Sequence, residues 1–585
     1  MSATVAPVKE AAKPAFQQRL GLFDSTMLVA GTMIGSGIFI TSVEISQNVG
    51  TAGWLLAVWA VAGLMTIIGA LSYAELAAMM PHAGGQYVYL REAYSPLWGF
   101  LYGWTCFLVI QTGSIAAVGV AFAKYLGVFY PALGTDAAVP KEVPHLVGFM
   151  PNLGWAPETS HASVIFAATH VNISLSLPIM GEFFTMEHFV VTAGQLVAVV
   201  VIGLLTLLNC RGVQEGKIVQ NIFTVAKTLG LITLIVVGLA LVSNPTAWDR
   251  NTADLWGGIT DTDAFKRTSD LGIAKFLGSN AMLIALMVMG GAMVGALFSA
   301  DAWNNITFTA GEIRNPRRNL PLSLAFGTGL VIVLYLLANL AYVSSLPVQG
   351  NEKAAEIEER SARDALAHAE ELRRLGKTEA AEARQREGEN GLSRAAFERG
   401  ITNARDDRVA TAVMELLSPN FGAKFMAIAI MISTFGCVNG MILMGARLYY
   451  VMAQDNLFFR SVGTLNSRSV PATGLVLQGI WSILLVFTGK YGDLLDYVIF
   501  AVLVFYVLTV AGLFILRQTQ PNAERPYKAF GYPVLPALYV LLCAAIMVDL
   551  LIVKPQYTWP GLIIVLTGIP VYFLWRLTGR KTATT

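Results

Sequence analysis

The stretch LVAGTMIGSGIFI, residues 28–40, places Gly31, Gly35, Ser36 and Gly37 inside a long apolar run near the N-terminus. Glycine in a helix interior costs about 1 kcal/mol relative to alanine. A face of small residues that packs closely against a second membrane helix is one explanation. Three successive small residues exceed what such a face needs, and they favour a segment in which the helix is unwound around a ligand.

The composition is that of an integral membrane protein. Of 585 residues, 55% are hydrophobic and 13% are charged, whereas soluble domains carry about 25% charged residues. Many apolar runs exceed the ~20 residues that cross a bilayer as a helix. We therefore predict an all-α membrane protein with twelve spans, at 24–46, 53–79, 96–129, 187–209, 218–243, 279–311, 320–345, 423–455, 471–488, 491–516, 531–553 and 557–577.

The distribution of basic residues predicts the orientation. Short loops after even-numbered spans are rich in arginine and lysine, whereas those on the other side hold little more than Lys490 and Lys554. The positive-inside rule then places both termini in the cytoplasm of a multi-pass protein of the plasma membrane. The predicted segments are a tail at 1–22, spans 1–7 within 23–349, an external hairpin at 350–408, spans 8–12 within 409–577 and a tail at 578–585.

Two of the predicted external segments are long. Residues 130–186 are rich in Pro, Gly and Ala and predict an irregular loop. Residues 350–408 are rich in Ala, Glu and Arg, with Gly376 between two helix-forming halves, and they predict an exposed αα-hairpin.

A second interruption occurs five spans after the first. Residues 289–313, MGGAMVGALFSADAWNNITFTAGEI, contain small and polar residues in mid-span, including Asp301. Breaks at corresponding positions are typical of transporters built from two inverted repeats. An ionisable residue at this depth indicates a functional site, although Asp301 would also suit a cap on the second half of the broken helix.

The two breaks together suit a zwitterion. The N-terminus of a half-helix favours a carboxylate, and carbonyls at the end of the other half favour a cation. Lys227, in span 5, lies ~15 Å beyond Lys217 along a helix. Its ammonium either snorkels to the interface or faces the bundle interior.

Other ligand classes have little support in the sequence. The four cysteines lie in or beside predicted spans without metal or redox spacing, so we predict no metal and no cofactor. The net charge of +2 gives no indication of nucleic acid binding. No clustered catalytic set lies at membrane depth, so an enzyme is not expected.

Five motifs carry a resemblance to a known family. They are GTMIGSGIF (31–39), YAELAAMMPHAGGQYVYLREAYSPLWGFLYGW (73–104), QNIFTVAK (220–227), GEIRNPRRNLP (311–321) and ISTFGCVNGMILMGARLYYVMAQDNLFF (432–459). Together they resemble the amino acid–polyamine–organocation superfamily, and within it bacterial relatives of the L-type amino acid transporters, the light subunits of heteromeric exchangers.

This resemblance implies a five-plus-five inverted repeat with broken spans 1 and 6, the fold first described for a leucine transporter. Amino acid would bind between spans 1, 3, 6, 8 and 10. The implied contacts are the span-1 backbone of Ile34, Gly35, Ser36, Gly37 and Ile38, the span-6 carbonyls of Phe298, Ser299, Ala300 and Asp301, and the polar side chains of Asn304 and Asn439.

The resemblance also assigns two further roles. Phe298 matches the aromatic residue that closes over bound substrate. Lys227 matches a lysine whose ammonium replaces a sodium ion between spans 1 and 8, with Ser433 as its neighbour.

The implied activity is secondary transport of neutral amino acids by alternating access, as a sodium-independent exchanger or uniporter, with proton coupling left open. The alternatives are a membrane amino acid sensor and a transporter of cationic amino acids or polyamines. The loop between spans 3 and 4 lacks the cysteine that links animal light subunits to their partner. We therefore expect amino acid and the lipid bilayer as partners, no disulfide-linked heavy subunit, and an oligomeric state that the sequence leaves open.

Overall fold

The computed structural model describes residues 16–135, 148–149, 164–177, 181–271, 275, 280–487 and 491–580. Helices dominate this part of the chain. In order they are α1 (Leu22–Met33), α2 (Gly37–Val49), α3 (Ala52–Met79), α4 (Gln86–Ala93), α5 (Pro96–Thr105), α6 (Gln111–Leu126), α7 (Ala193–Arg211), α8 (Val213–Val236), α9 (Pro245–Ala253), α10 (Asp263–Ser269), α11 (Ala281–Ser299), α12 (Pro316–Ser345), α13 (Glu352–Arg374), α14 (Thr378–Arg399), α15 (Val409–Leu417), α16 (Pro419–Gln454), α17 (Ala472–Val486), α18 (Tyr491–Thr519), α19 (Val534–Val553) and α20 (Pro555–Arg580).

The helical membrane fold is confirmed. Among the described residues, 11 segments are long and apolar enough to cross a bilayer, and the first of them combines α1 and α2. The predicted span at 471–488 corresponds to α17, a shorter apolar helix whose 15 residues rise only about 22 Å. The number twelve and the inverted repeat stay predictions.

The segment 130–186 is not irregular throughout, and that expectation was wrong. Strands β1 (Gly148–Phe149), β2 (Val164–Leu177) and β3 (Gly181–Thr192) form an antiparallel sheet in the order β1-β2-β3. Most of the Pro and Gly precede β2, whereas β2 and β3 are rich in the β-branched and aromatic residues that favour strands. Strand β3 also includes residues 187–192, which had been predicted to begin the fourth span.

The other long segment, residues 350–408, contains a helical hairpin. The helices α13 and α14 are connected by a turn at Gly376, which has φ +74°, a conformation that glycine adopts without steric cost. Asn351 caps α13 by accepting a hydrogen bond from the Ala354 amide at 3.1 Å. The two ends of the hairpin meet, since the Asn351 amide donates to the Glu398 carbonyl at 2.6 Å.

The two ends of the helix bundle are easily told apart. We call the side where α1 begins the proximal face and the side that carries the hairpin the distal face. At the distal face Gln47, near the end of α2, donates to the Thr402 carbonyl at 2.9 Å. At the proximal face the fully buried Arg447 and Glu312 form an ion pair at 3.1 Å, and the Arg19 amide donates to the Glu312 carbonyl at 2.9 Å.

Candidate functional site

The predicted break in the first span is present. Helix α1 ends at Met33 and α2 begins at Gly37, and Ile34, the residue after α1, has non-helical backbone angles of φ −74° and ψ 88°. Residues 34–36 are buried. Carbonyls near the end of α1 and amides in the first turn of α2 lack intrahelical partners, so this short segment concentrates polar backbone groups inside the bundle.

Lys227 satisfies several of these carbonyls. Its side chain is only 1% exposed, which excludes snorkelling to the interface. The ammonium donates to the carbonyls of Gly31, Ile34 at 2.8 Å and Ser433 at 3.2 Å. A cation at the C-terminal end of α1 is favoured by the helix dipole.

Ser433 completes this arrangement from α16. Its hydroxyl lies 3.0 Å from the Ile34 carbonyl oxygen and 2.9 Å from that of Gly35. The thiol of Cys437, one turn further along α16, donates to the Thr32 carbonyl at 3.0 Å. The predicted neighbours Lys227 and Ser433 are therefore brought together around the end of α1.

The glycines near this break allow close packing. A Cβ on Gly31 would lie 2.1 Å from Thr224 Oγ1 on α8, and a Cβ on Gly37 would lie 2.9 Å from Ser299 Cα on α11. Both explanations of the opening motif therefore apply, each to different residues. Gly31 and Gly37 let neighbouring helices approach, while residues 34–36 form the unwound segment.

The second predicted break is also present. Helix α11 ends at Ser299, and a 3₁₀-helix, Trp303–Glu312, follows. Between them Ala302 adopts a left-handed conformation with φ +66°, which costs a non-glycine residue about 1–2 kcal/mol. The interruption is thus a defined bend of the backbone.

Tyr335, on α12, connects the two breaks. Its hydroxyl oxygen lies 2.9 Å from the Met33 carbonyl oxygen and 3.1 Å from that of Ser299. A second connection joins the hydroxyls of Thr41 and Ser299, which are 3.1 Å apart. Since one tyrosine proton serves carbonyls from both interrupted spans, a displacement of either break changes the environment of the other.

Asp301 lies at the bend of the sixth span, and its carboxylate accepts a hydrogen bond from the Tyr506 hydroxyl at 2.5 Å. Both residues line a cavity of about 20 Å³, which is enough for one water molecule. The cavity is lined by Gln86, Tyr102, Ile110, Gln111, Ser114, Asp301, Ala302, Asn304, Asn305, Met441, Val502 and Tyr506. Its walls come from spans 3, 6, 8 and 10 and from α4, and the space between them is too small for an amino acid.

Asn304 belongs to a chain of buried amides beside the cavity. Its Nδ2 donates to Gln86 Oε1 at 2.9 Å, and Gln86 Nε2 donates to the Thr509 hydroxyl at 3.0 Å. Because each amide is oriented by its neighbour, Asn304 presents a fixed polar edge to the cavity.

The remaining predicted site residues lie apart from this cavity. Phe298 is buried and is not among its lining residues, while Ala300 lines a second small cavity that shares Asp301 and Tyr506 with the first. Asn439 lies in another polar cluster, where its amide nitrogen donates to the Gly216 carbonyl at 3.2 Å. The substrate contacts assigned to these residues stay predictions.

Three important residues were missed by the sequence reasoning: Gln86, Tyr335 and Tyr506. Each is a polar side chain that contacts a break or its cavity. For Tyr335 and Tyr506 an available signal was a polar group embedded in an apolar span, since such groups in a membrane need internal partners, whereas Gln86 begins the short helix α4, outside the apolar spans.

Within the described ranges, no group of three or more His, Cys, Asp or Glu residues could hold a metal ion. The four cysteines, all in this part of the chain, are free thiols.

Comparisons with known proteins identify a family for this chain. The family model of amino acid permeases matches residues 20–358 and 398–574, and the gap between them covers most of α13 and α14. The chain is 26% identical to b(0,+)-type amino acid transporter 1 of Homo sapiens over 562 residues, which cover 95% of this chain and 88% of that protein. It is 27% identical to Large neutral amino acids transporter small subunit 2 of Homo sapiens over 561 residues, which cover 96% of this chain and 81% of that protein.

Proposed function

Because this chain belongs to the amino acid permease family, and is therefore a secondary amino acid transporter rather than an enzyme, we propose that it carries neutral amino acids without sodium, as an exchanger or uniporter. The observation that carries the proposal is the Lys227 ammonium among the carbonyls of Gly31, Ile34 and Ser433. Three converging carbonyl oxygens would otherwise suit a small cation such as sodium, and an ammonium in their midst takes the place of that ion.

The substrate's two charged groups would bind the broken spans. The amides of Ser36, Gly37 and Ile38 lie at the N-terminus of α2, where a carboxylate is favoured, whereas those of Ile34 and Gly35 donate to the carbonyls of Ala30 and Met33. The carbonyls of residues 298–301 supply acceptors for the α-ammonium. The cavity at Asp301 and Asn304 would then receive the substrate side chain. Because that cavity measures only about 20 Å³, binding requires its walls to separate, as alternating access implies.

The orientation follows the positive-inside rule. The proximal face would lie in the cytoplasm with both termini, and the distal face would lie outside a bacterial inner membrane. The buried or helical positions of the four cysteines offer no distal thiol for a covalent heavy subunit. Amino acid and lipid are the partners we propose.

Counterflow in proteoliposomes tests the function. Purified protein is reconstituted with an unlabelled neutral amino acid inside and the labelled form outside, in sodium buffer or with choline replacing sodium. We expect equal uptake in the two buffers and none in protein-free vesicles. Strict dependence on sodium would contradict the proposal.

Transport of cationic amino acids is a second candidate, and one observation favours it. The Asp301 carboxylate lines the cavity that would hold the substrate side chain, where it would attract an ammonium or guanidinium. Competition of unlabelled lysine and arginine against labelled leucine separates the two candidates. Competition at concentrations similar to those of unlabelled leucine supports the second candidate, and lack of competition supports neutral substrates alone.

A further inference from the structure

Asp549 is a carboxylate of the membrane interior that the proposed mechanism does not use. It lies in α19, one turn before the end of that helix. Both of its carboxylate oxygens are buried without a hydrogen-bond partner among the described residues. An ionised carboxylate in that position would have neither water nor a partner to stabilise its charge.

The neighbour of this carboxylate is Gly290 of α11. A Cβ built on Gly290 would lie 2.4 Å from Asp549 Oδ2, so only glycine lets the carboxyl group rest against the α11 backbone. The sequence of α11 contains no charged residue. The contact therefore joins a lone acid to an apolar helix.

No described cation pairs with Asp549. Helices α3, α11, α18 and α20 pack against α19. On α3 the carboxylate of Glu75 pairs with Arg517 of α18 at 2.6 Å, and on α20 the guanidinium of Arg576 lies over the Tyr572 ring. Lys554, which follows α19, lies 3.4 Å from Glu44.

Among the side chains that the structure describes on these helices, the other titratable groups carry no positive charge. The phenol of Tyr506 donates to Asp301, and Tyr73, Tyr539 and Cys543 are buried. Burial without a counter-charge favours the neutral acid, so the packed arrangement is the one in which Asp549 carries a proton.

The same two helices also reach the cavity at the second break. Helix α11 runs from Gly290 to Ser299, two residues before Asp301. Helix α19 contributes Tyr539, which lines the second small cavity together with Asp301 and Tyr506. Helix α11 therefore connects the Asp549 contact to the proposed substrate site.

We propose that Asp549 is a proton-binding site whose protonation holds α19 against α11 and whose deprotonation accompanies their separation, so that a proton is carried with the amino acid. This inference rests on the proposed transport of amino acids and changes its mode from uniport to proton-coupled uptake, with exchange of amino acids retained at equal pH. The proton binds and leaves as the carboxyl group exchanges between the packed, dry contact and water.

The experiment uses proteoliposomes of the full chain with a pH gradient, acid outside. One pH unit coupled to one proton supports about tenfold accumulation of substrate. We expect the native protein to approach this accumulation and Asp549→Asn to lose it. Asp549→Asn should still perform counterflow at equal pH, because the isosteric amide fills the same space.

Two glycine variants keep the test decisive if Asp549→Asn fails to fold. In Gly290→Ala the added methyl group pushes the Asp549 carboxyl group away from α11. Ionisation of that group then costs less, so the pH midpoint of uptake should fall by about one unit. Gly291→Ala is the matched control, since its Cβ would make only an ordinary 3.7 Å contact with Val553, and its midpoint should not move.

Several results would overturn the proposal. Native protein that performs counterflow but never accumulates substrate with the pH gradient carries no proton. Accumulation retained in Asp549→Asn, or equal midpoints in the two glycine variants, would remove Asp549 from the coupling. Accumulation that requires sodium would assign a different ion. Absence of counterflow at every pH would instead defeat the transport function on which the inference rests.

Discussion

The two broken spans differ in where their polar partners come from. At the first break the carbonyls are contacted by side chains from other helices, namely Lys227, Ser433 and Tyr335. Tyr335 also contacts the second break, but there the interrupted span itself contributes a polar side chain. This side chain is Asp301, which faces a cavity and the Tyr506 hydroxyl. The first break is thus a backbone site fixed by its surroundings, whereas the second presents side-chain chemistry that can differ between substrates.

This difference separates two tasks that a transporter of amino acids has to perform. All substrates share the α-carboxylate and α-ammonium, and a fixed backbone site suits those groups. Substrates differ in their side chains, and a cavity with a variable wall suits that part. Variants at the first break should therefore affect every substrate, and variants at the second should affect selected ones.

The largest effect is expected from Lys227→Met, which keeps the length of the side chain and removes its charge. Three carbonyls lose their donor, and each charged hydrogen bond contributes about 1.5–3 kcal/mol. Counterflow of every substrate should fall by at least about tenfold.

Lys217→Met is the matched control for that measurement. Lys217 lies on the same helix but pairs with Asp24 at the proximal face, at 2.8 Å and partly exposed, where an ion pair contributes about 0–1 kcal/mol. Its counterflow should stay close to native. Native rates in Lys227→Met would show that the first break does not depend on its ammonium.

Asp301→Asn should act selectively. The amide has nearly the same shape and still accepts the Tyr506 hydroxyl, but it no longer attracts a positive side chain. If cationic substrates bind there, lysine and arginine should compete about tenfold less well, while neutral amino acids change by less than about threefold. Competition curves against labelled leucine measure both effects, and equal losses for both classes would contradict a side-chain role.

Tyr335→Phe tests whether the two breaks are coupled. Loss of one neutral hydrogen bond costs about 1 kcal/mol, so counterflow should fall by about threefold to fivefold for all substrates. Tyr342→Phe is the control, because its hydroxyl contacts the Ile38 carbonyl at 3.1 Å and reaches only one of the two interrupted spans. A larger loss in the control than in Tyr335→Phe would argue against the coupling.

The smallest effect is expected from removing the hairpin. Residues 353–397 contribute to neither break, and the Asn351 amide already bonds to the Glu398 carbonyl, so a short Gly/Ser linker should join the ends. Uptake should remain within about twofold, and the melting temperature should change by no more than about 4 °C. Loss of uptake from well-expressed protein would show that the distal face takes part in gating.

Local sequence predicted the breaks, since small residues in succession and an acid in mid-span are visible in a single segment. The depth of Lys227 could also be predicted, because the helical rise per residue converts the number of residues between Lys217 and Lys227 into a distance. Tyr506 could not be paired with Asp301 in this way, since 205 residues separate them and only the packing of α18 against α11 brings them together.

Two expectations show the limits of single-segment reasoning. The mean composition of residues 130–186 concealed β2 and β3, because Pro and Gly near the start dominated the average. The motif places Asn439 near the substrate, which stays a prediction, but it could not give the partners of this side chain, Gln220 at 3.1 Å and Asn209 at 2.9 Å. A motif fixes the position along the helix, but the neighbouring helices decide which polar cluster the side chain joins.

The hydrogen bond that joins the two ends of the hairpin also has a practical use. Since Asn351 and Glu398 are already hydrogen-bonded to each other, another folded domain with adjacent termini can replace α13 and α14 without stretching the chain between α12 and α15. A rigid domain grafted there would stand clear of a detergent micelle and give electron cryomicroscopy a landmark for aligning particles. A fluorescent domain at the same position would report movements of the distal face during a transport cycle.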